Sequence, residues 1–267
     1  MVRTPRPKPS QPQKRPLRLP WRDILDVLAL GTWSAMLMRY WLGGKLLLLL
    51  HPDYAWLSNV AAIALIFLAS SQVVRILRHR RAASSQGADL SHVTLLPPSL
   101  SSALLLAVAV FGLIYTPRAF ASDTATARGI ADSLTLTRSQ PQRFVRAAAP
   151  ADRSVIDWIR IVNVYPEPDA YAGEPVSVRG FVIHPEAWPN DYVMVSRFVL
   201  TCCAADAYPV GLPVKLNDGQ SRADYPVDSW IAVEGEMTTE TLESRRQLAI
   251  RPSALTAVEE PKNPYEY

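Results

Sequence analysis

The pattern of hydrophobic positions changes about halfway along the chain. The first part holds three long apolar runs with few charges, at residues 24–50, 56–76 and 95–116. At about 1.5 Å per residue, each run can cross a hydrocarbon layer of roughly 30 Å as a helix. Residues 24–118 are therefore predicted to form a membrane domain with three transmembrane helices, and His51-Pro52-Asp53-Tyr54 is predicted to be a tight connection in which Pro52 ends the first helix.

From residue 151 to residue 267 the pattern is that of a β domain. Short runs rich in β-branched and aromatic residues alternate with turn signals, and they predict strands at 155–164, 176–183, 192–201, 210–216, 230–237 and 247–258. Five or six strands in a segment of this length are typical of a small closed barrel, and an OB-like Greek-key barrel matches the size. The predicted fold class is thus an α-helical membrane domain followed by an all-β, OB-like small barrel.

Two segments lie outside these domains. Residues 1–23 are basic and rich in proline, which predicts a disordered tail. Residues 119–150 are rich in Ala, Ser and Thr and are interpreted as a linker with one marginal helix.

The distribution of basic residues predicts the orientation in the membrane. Seven Lys and Arg residues lie in the tail, and Arg75, Arg78, Arg80 and Arg81 follow the second run. With three spans, the tail and this loop lie on the same side, and basic residues near helix ends stay in the cytoplasm. We therefore expect a cytoplasmic N-terminus, a multi-pass membrane protein and a barrel outside the cytoplasm.

The charge balance of the barrel argues against a nucleic-acid partner. Acidic residues outnumber basic ones after residue 119, although the whole chain has a net charge of +4. An OB-like barrel that binds single strands uses a basic, aromatic face. No signature of a serine hydrolase, a zinc protease or a phosphate-binding loop is present, so we also expect no enzymatic activity.

The chain has two cysteines, and they are adjacent: Cys202 and Cys203. A thiolate pair is a soft ligand set for zinc or monovalent copper, and Asp206 could add an oxygen if the backbone turns there. His184 is a further candidate ligand, since it is the single histidine in the acidic domain. Two alternatives remain open: the cysteines pack as small hydrophobic residues, or they form a strained vicinal disulfide.

Three residues near the end of the first run are candidates for contact with a partner protein. Arg39 and Lys45 are charges within an apolar run, which must reach the interface or face a partner. His51 follows at the predicted outer end of that run and could bind a cation transiently, although a helix-ending turn also explains His-Pro-Asp.

Several motifs together resemble the YcgQ-like permease-subunit family of bacteria. These are the run Arg197-Phe198-Val199-Leu200-Thr201-Cys202-Cys203-Ala204-Ala205-Asp206-Ala207, Gly44-Lys45-Leu46 with His51-Pro52, Val178–Val182, Trp230–Gly235, and the ending Pro261–Tyr267. The long basic tail and the Ala/Ser-rich linker depart from that family pattern.

The resemblance implies a subunit in the bacterial cytoplasmic (inner) membrane that works beside a separate multi-span permease, with links to metal homeostasis. We therefore expect an accessory membrane subunit that handles or senses a metal ion through its barrel. The alternatives are a membrane-anchored thiol or redox protein and a structural anchor with an interaction barrel.

Overall fold

The computed structural model of the protein describes residues 21–81, 97–129 and 149–267. Residues 1–20 of the predicted basic tail and most of the predicted linker lie outside these ranges, whereas residues 21–23, predicted to be disordered, are the start of a helix. The chain divides into two compact units: Met1–Leu37 with Val60–Tyr115, and Met38–Asn59 with Thr116–Tyr267. The second unit is thus discontinuous, because it combines the barrel with a short segment from the first part of the chain.

Three long helices precede the barrel: α1 (Trp21–Leu42), α2 (Pro52–Arg81) and α3 (Pro98–Ile114). The prediction that the first helix continues to Leu50 is wrong. Gly43 and Gly44 follow α1, and Gly44 has a φ of 69°, a left-handed conformation that suits glycine and ends a helix. Pro52 starts α2 instead of closing α1, because proline fits the first helical position, where its missing N–H is not needed.

Among the described residues, one helix is long and apolar enough to cross a membrane, namely α2 over Pro52–Arg78. The apolar part of α3, Ser99–Ile114, is shorter. Large apolar side chains of α2 remain exposed, including Ile63, Phe67 and Leu77. Such a helix is expected in an apolar solvent, which agrees with membrane association.

Polar side chains of α1 form hydrogen bonds with α2 and α3 inside the helical unit. The Ser34 hydroxyl donates to the carbonyl of Ala62 at 2.9 Å, and the Trp33 indole donates to the carbonyl of Leu105 at 2.9 Å. Asp26, an acid within the first apolar run, accepts a hydrogen bond from the Ser102 hydroxyl. This half-buried acid therefore has a partner inside the unit.

The predicted small barrel is confirmed as a closed five-stranded barrel. Its strands are β1 (Pro175–Ile183), β2 (Tyr192–Val199), β3 (Tyr208–Lys215), β4 (Trp230–Leu242) and β5 (Arg245–Val258). The ring order is β1-β2-β3-β5-β4-β1, antiparallel except between β3 and β5. This order is consistent with an OB-like barrel. A short strand, β6 (Tyr265–Glu266), adds in parallel to β2.

The predicted strand at Val155–Val164 is wrong, because these residues form a helix, α5. Ser154 caps its N-terminus: the Ser154 hydroxyl accepts from the Asp157 N–H, and the Asp157 carboxylate accepts from the Ser154 N–H at 3.1 Å. This capping box outweighs the strand preference of the β-branched residues. The buried face of α5, formed by Val155, Ile156, Trp158 and Ile159, packs into the barrel core.

A β-bulge explains how β5 continues through Arg251-Pro252. The register between β4 and β5 shifts so that Glu234 pairs with Ala254 and Gly235 with Pro252, which leaves Ser253 unpaired. A Cβ on Gly235 would lie 2.1 Å from the carbonyl oxygen of Arg251. The close approach requires glycine, and the bulge accommodates proline inside a long strand.

An aromatic layer covers one outer side of the barrel. The short helix α4 (Ser122–Ala127) lies in the predicted linker and corresponds to its marginal helix. Phe120, just before α4, packs with Phe198 at 5.3 Å between ring centroids, and its N–H donates to the Tyr265 hydroxyl. Residues from about 116 therefore belong to the barrel unit.

The C-terminal segment is fastened by a buried ion pair. Arg197 Nε lies 3.6 Å from Glu266 Oε1, and the two side chains are only 11% and 12% exposed. The other Glu266 oxygen accepts from the Ile156 N–H at 2.7 Å, in the first turn of α5. Burial raises the pKa of Glu266, with the Ile156 hydrogen bond and Arg197 opposing it.

We expect Arg197→Leu to destabilise the chain by about 3–5 kcal/mol, because it leaves the Glu266 carboxylate buried without a cation. Adding Glu266→Gln should recover part of the loss, since the amide oxygen can still accept from the Ile156 N–H. Thermal unfolding of the purified full chain in detergent measures both effects. Equal stability of the single and double variants would contradict the ion pair.

The pH dependence of stability at this site has a defined sign. Because the folded pKa of Glu266 lies above its ordinary value of 4.5, the protonated form is favoured by folding. The resulting stability is full below that ordinary value and is lost as the pH rises through the folded pKa. We expect this loss to be larger in Arg197→Leu than in the wild type, and thermal unfolding midpoints recorded across this pH range measure the difference.

Candidate metal centre

The adjacent cysteines lie in a tight turn directly after β2. The strand ends at Val199, and a 3-10 turn at Ala204–Asp206 follows before β3. The carboxylate of Asp206 organises this turn: it accepts from the Cys202 N–H at 2.9 Å, from the Cys203 N–H at 3.1 Å and from the Thr201 hydroxyl. The predicted turn at this point is therefore present, and a side chain four residues after Cys202 holds it.

The turn brings both thiols together. The sulfur atoms of Cys202 and Cys203 are 3.6 Å apart, and both residues are free cysteines. In a regular strand, adjacent side chains would point to opposite faces. With one carboxylate oxygen of Asp206, the sulfurs form a group of ligand atoms that all lie within 4.8 Å of one another. Cys202 is exposed, and Cys203 and Asp206 are half-buried.

The carboxylate also raises the pKa of the Cys202 thiol. The hydrogen bond with Asp206, followed by that with Cys203, raises the pKa of Cys202 to about 11. Burial of Asp206 alone would raise its pKa, but the donors from Thr201, Cys202 and Cys203 outweigh burial and lower it. At neutral pH the turn therefore holds a carboxylate beside a protonated thiol.

The turn pairs with the segment that connects α1 and α2. Leu50 forms an antiparallel bridge with Cys203. The His51 N–H donates to the Cys202 carbonyl at 3.0 Å, and the Ala204 N–H donates to the Leu49 carbonyl at 2.8 Å. An isolated β-bridge and its two flanking backbone hydrogen bonds thus join the candidate metal ligands to the helix connection inside the second unit.

The predicted partner-binding residues have different surroundings. The side chain of His51 is 16% exposed, and its ring packs edge-on against Tyr267 at 4.7 Å between centroids. Its Nδ1 accepts from the Asp53 N–H at 3.1 Å, which caps the start of α2. Arg39 and Lys45 are exposed, Arg39 in the last turn of α1 and Lys45 in the 3-10 turn that follows.

His184, the fourth predicted ligand, is not part of the cluster. It follows β1, and its Nε2 lies 2.9 Å from the carbonyl oxygen of Tyr225. The three-residue group in the turn comprises Cys202, Cys203 and Asp206 among the described residues.

Two neighbours of the cysteine turn were not identified from the sequence. Thr201 donates to the Asp206 carboxylate, and Arg128, after α4, donates to the carbonyls of Ala207 and Ala204. The Arg128 guanidinium also lies 4.7 Å above the Phe120 ring. Thr201 has a local signal, since it lies five residues before an aspartate in a turn. Arg128 has none, because its contacts are distant in sequence.

A groove on the same barrel was also not predicted. It has a volume of about 380 Å³ and lies beside the C-terminal end of α5 and the β4–β5 turn. Its lining includes Trp188, Met194, Arg245 and Arg246. Trp188 is fixed there by donating to Glu243 at 2.8 Å, and Arg246 pairs with Asp169. The groove therefore has apolar walls and an ionic rim.

Comparison with known proteins supports the resemblance over the barrel region. Residues 152–267 match the family model described as DUF1980 C-terminal domain. This match fits a DUF1980/YcgQ-like family and covers α5, all six strands and the cysteine turn. No curated protein and no solved structure gives a significant match to the chain.

The DUF1980 match covers the cysteine run and the C-terminal ending, and His51, which lies outside the match, contacts both. Three motifs that carry the resemblance meet in the second unit: His51 pairs with Cys202, and the His51 ring packs on Tyr267. Motifs that are distant in sequence are therefore in contact in the structure, which the sequence alone does not show.

We expect Asp206→Asn to increase the reactivity of Cys202, because the substitution removes the carboxylate that raises its pKa. The rate of alkylation should be measured against pH in a Cys203→Ser background, which leaves one thiol. With Asp206 present, the midpoint should lie above the ordinary thiol value of 9.0, and in the Asp206→Asn variant it should fall toward that value. The same midpoint with and without the substitution would contradict the role of the carboxylate.

Proposed function

We propose that this protein is an accessory membrane subunit that works beside a separate multi-span permease and handles or senses a metal ion through its barrel. The observation that carries the proposal is the pairing of residues 49–51 with residues 202–204. Through this pairing the barrel unit includes the connection between two helices, so the candidate metal ligands share backbone hydrogen bonds with the residues that join α1 to α2.

The proposed membrane arrangement has three spans, formed by α1, α2 and α3. The length and hydropathy of α2 support this helix as one of the three. A polar contact between Asp26 and Ser102 supports α1 and α3 as neighbours that satisfy a half-buried acid internally. We place the N-terminus in the cytoplasm and the barrel outside it, in the bacterial cytoplasmic membrane, because basic residues cluster before α1 and after α2.

The need for a partner follows from the size of the membrane part. Three helices provide little room for an alternating-access pathway, which in known transporters is built between repeated bundles. Arg39 and Lys45 are exposed charges near the predicted outer end of α1, where they can face headgroups or a second membrane protein.

The pKa of Cys202 argues against a role for this thiol as a catalytic nucleophile. A catalytic thiol is normally ionised near neutral pH, with a pKa well below the usual value. The pKa of Cys202 is instead raised to about 11. A soft metal ion, by contrast, displaces the proton when it binds, so a high thiol pKa is compatible with metal binding.

The three-span arrangement predicts opposite accessibility of two engineered thiols. In a Cys202→Ser/Cys203→Ser background, a thiol at Ser85→Cys should be protected from an impermeant maleimide in intact cells. A thiol at Asp218→Cys, on an exposed barrel loop, should be labelled. Permeabilised cells provide the control in which both react. Labelling of the Ser85 variant in intact cells would contradict the orientation.

The accessory role predicts a stoichiometric complex with a larger membrane protein in mild detergent. Arg39→Leu or Lys45→Leu should lower the recovered partner severalfold, because each removes an exposed charge near the end of α1. Arg179→Leu, an exposed arginine on β1, is the matched control and should leave recovery unchanged. A chain that elutes without any multi-span protein from native membranes would contradict the proposal.

A further inference from the structure

The separation of the two thiols matches the requirement of one tetrahedral ion. The sulfur atoms of Cys202 and Cys203 are 3.6 Å apart. Two sulfurs bound to zinc at about 2.3 Å with a tetrahedral angle lie about 3.8 Å apart. The distance between the two sulfur atoms would therefore change by only a few tenths of an ångström when both bind one ion.

The backbone that positions these sulfurs is already fixed. Asp206 holds the N–H groups of both cysteines, and Cys203 pairs with Leu50. An ion consequently meets a ligand pair that is ordered before binding, which lowers the entropic cost of ordering the side chains.

Asp206 retains the capacity to act as a third ligand. A carboxylate offers about four lone-pair sites. Its Oδ2 accepts from Thr201 and the Cys202 N–H, and its Oδ1 accepts from the Cys203 N–H. The carboxylate also accepts the hydrogen bond of the Cys202 thiol, which is given up when an ion displaces the thiol proton, and one carboxylate oxygen lies within 4.8 Å of both sulfurs.

Among the described residues, the ligand count leaves one coordination position open. A structural zinc site is closed by four protein ligands, whereas a site with three keeps a position for an exchanging ligand. His184 does not fill this position, because it lies outside the group. The exposure of Cys202 leaves the turn accessible to a ligand from solvent or from another protein.

We propose that Cys202, Cys203 and Asp206 form an open, three-ligand site for a thiophilic metal ion such as Zn²⁺, with the fourth ligand supplied from outside the chain. The inference rests on the proposed function and deepens it, because an open site suits the transfer of an ion to or from a partner. Binding exchanges the thiol protons for the ion, so affinity rises with pH.

The test is a zinc titration of the tag-free, reduced full chain in detergent, in competition with a chromophoric chelator. One ion should bind per chain, with release of protons. Cys202→Ser/Cys203→Ser should weaken binding by roughly 100-fold or more, since loss of even an outer contact to a metal ligand costs 10–100-fold. His184→Ala is the matched control and should bind as the wild type does.

Asp206→Asn separates a ligand role from a purely structural one. It should weaken zinc binding, because the amide can still accept the backbone hydrogen bonds of the turn but is a poorer zinc ligand than a carboxylate. Circular dichroism of each variant establishes that the fold is intact. If the double serine variant binds zinc as tightly as the wild type, or if the wild type takes up none, the proposed site is wrong.

The partner assay distinguishes this result from a failure of the accessory role. If the double serine variant loses zinc but still recovers the multi-span partner, both proposals stand. If zinc binds and no partner is recovered from native membranes, the site stands and the accessory role fails. If the partner is recovered and the wild type binds no zinc, the accessory role stands and the site fails.

Discussion

Backbone hydrogen bonds between residues 49–51 and residues 202–204 hold together the part of the molecule on which the functional argument depends. They place the cysteine turn beside the start of α2 and bring His51 against Tyr267. Because main-chain atoms make these bonds, many side-chain substitutions would leave them intact. These main-chain bonds fix the backbone of the turn without using the side chains of Cys202 and Cys203, which remain available to bind a ligand.

Asp206 links the geometry of the turn to its chemistry. The same carboxylate that accepts both cysteine N–H groups also raises the pKa of Cys202. A protonated thiol reacts slowly with oxidants and electrophiles. The residue that orders the turn thus also lowers the reactivity of the exposed Cys202 thiol.

The sequence predicted the features that depend on local patterns. Alternation over 176–183 indicated β1, and the residues after the cysteines were compatible with the turn that would bring Asp206 to them. The pattern failed at Val155–Val164, where high β-branched content hid the capping signal of Ser154 and Asp157. It also missed the end of α1, which Gly44 sets. The pairing of Leu50 with Cys203 could not be predicted, because neither residue carries a local sign of a partner so distant in sequence.

The discontinuity of the second unit constrains the order in which the protein can assemble. The chain leaves this unit at Asn59 and returns to it at Thr116. Residues 49–51 are synthesised before their partners at 202–204. Until those partners are made, the main-chain groups of residues 49–51 must form hydrogen bonds with water or with other groups. Closing this contact is consequently a late event with a high loop-closure cost. A chain in which this contact has not yet formed would have a barrel whose cysteine turn lacks its backbone partners at residues 49–51.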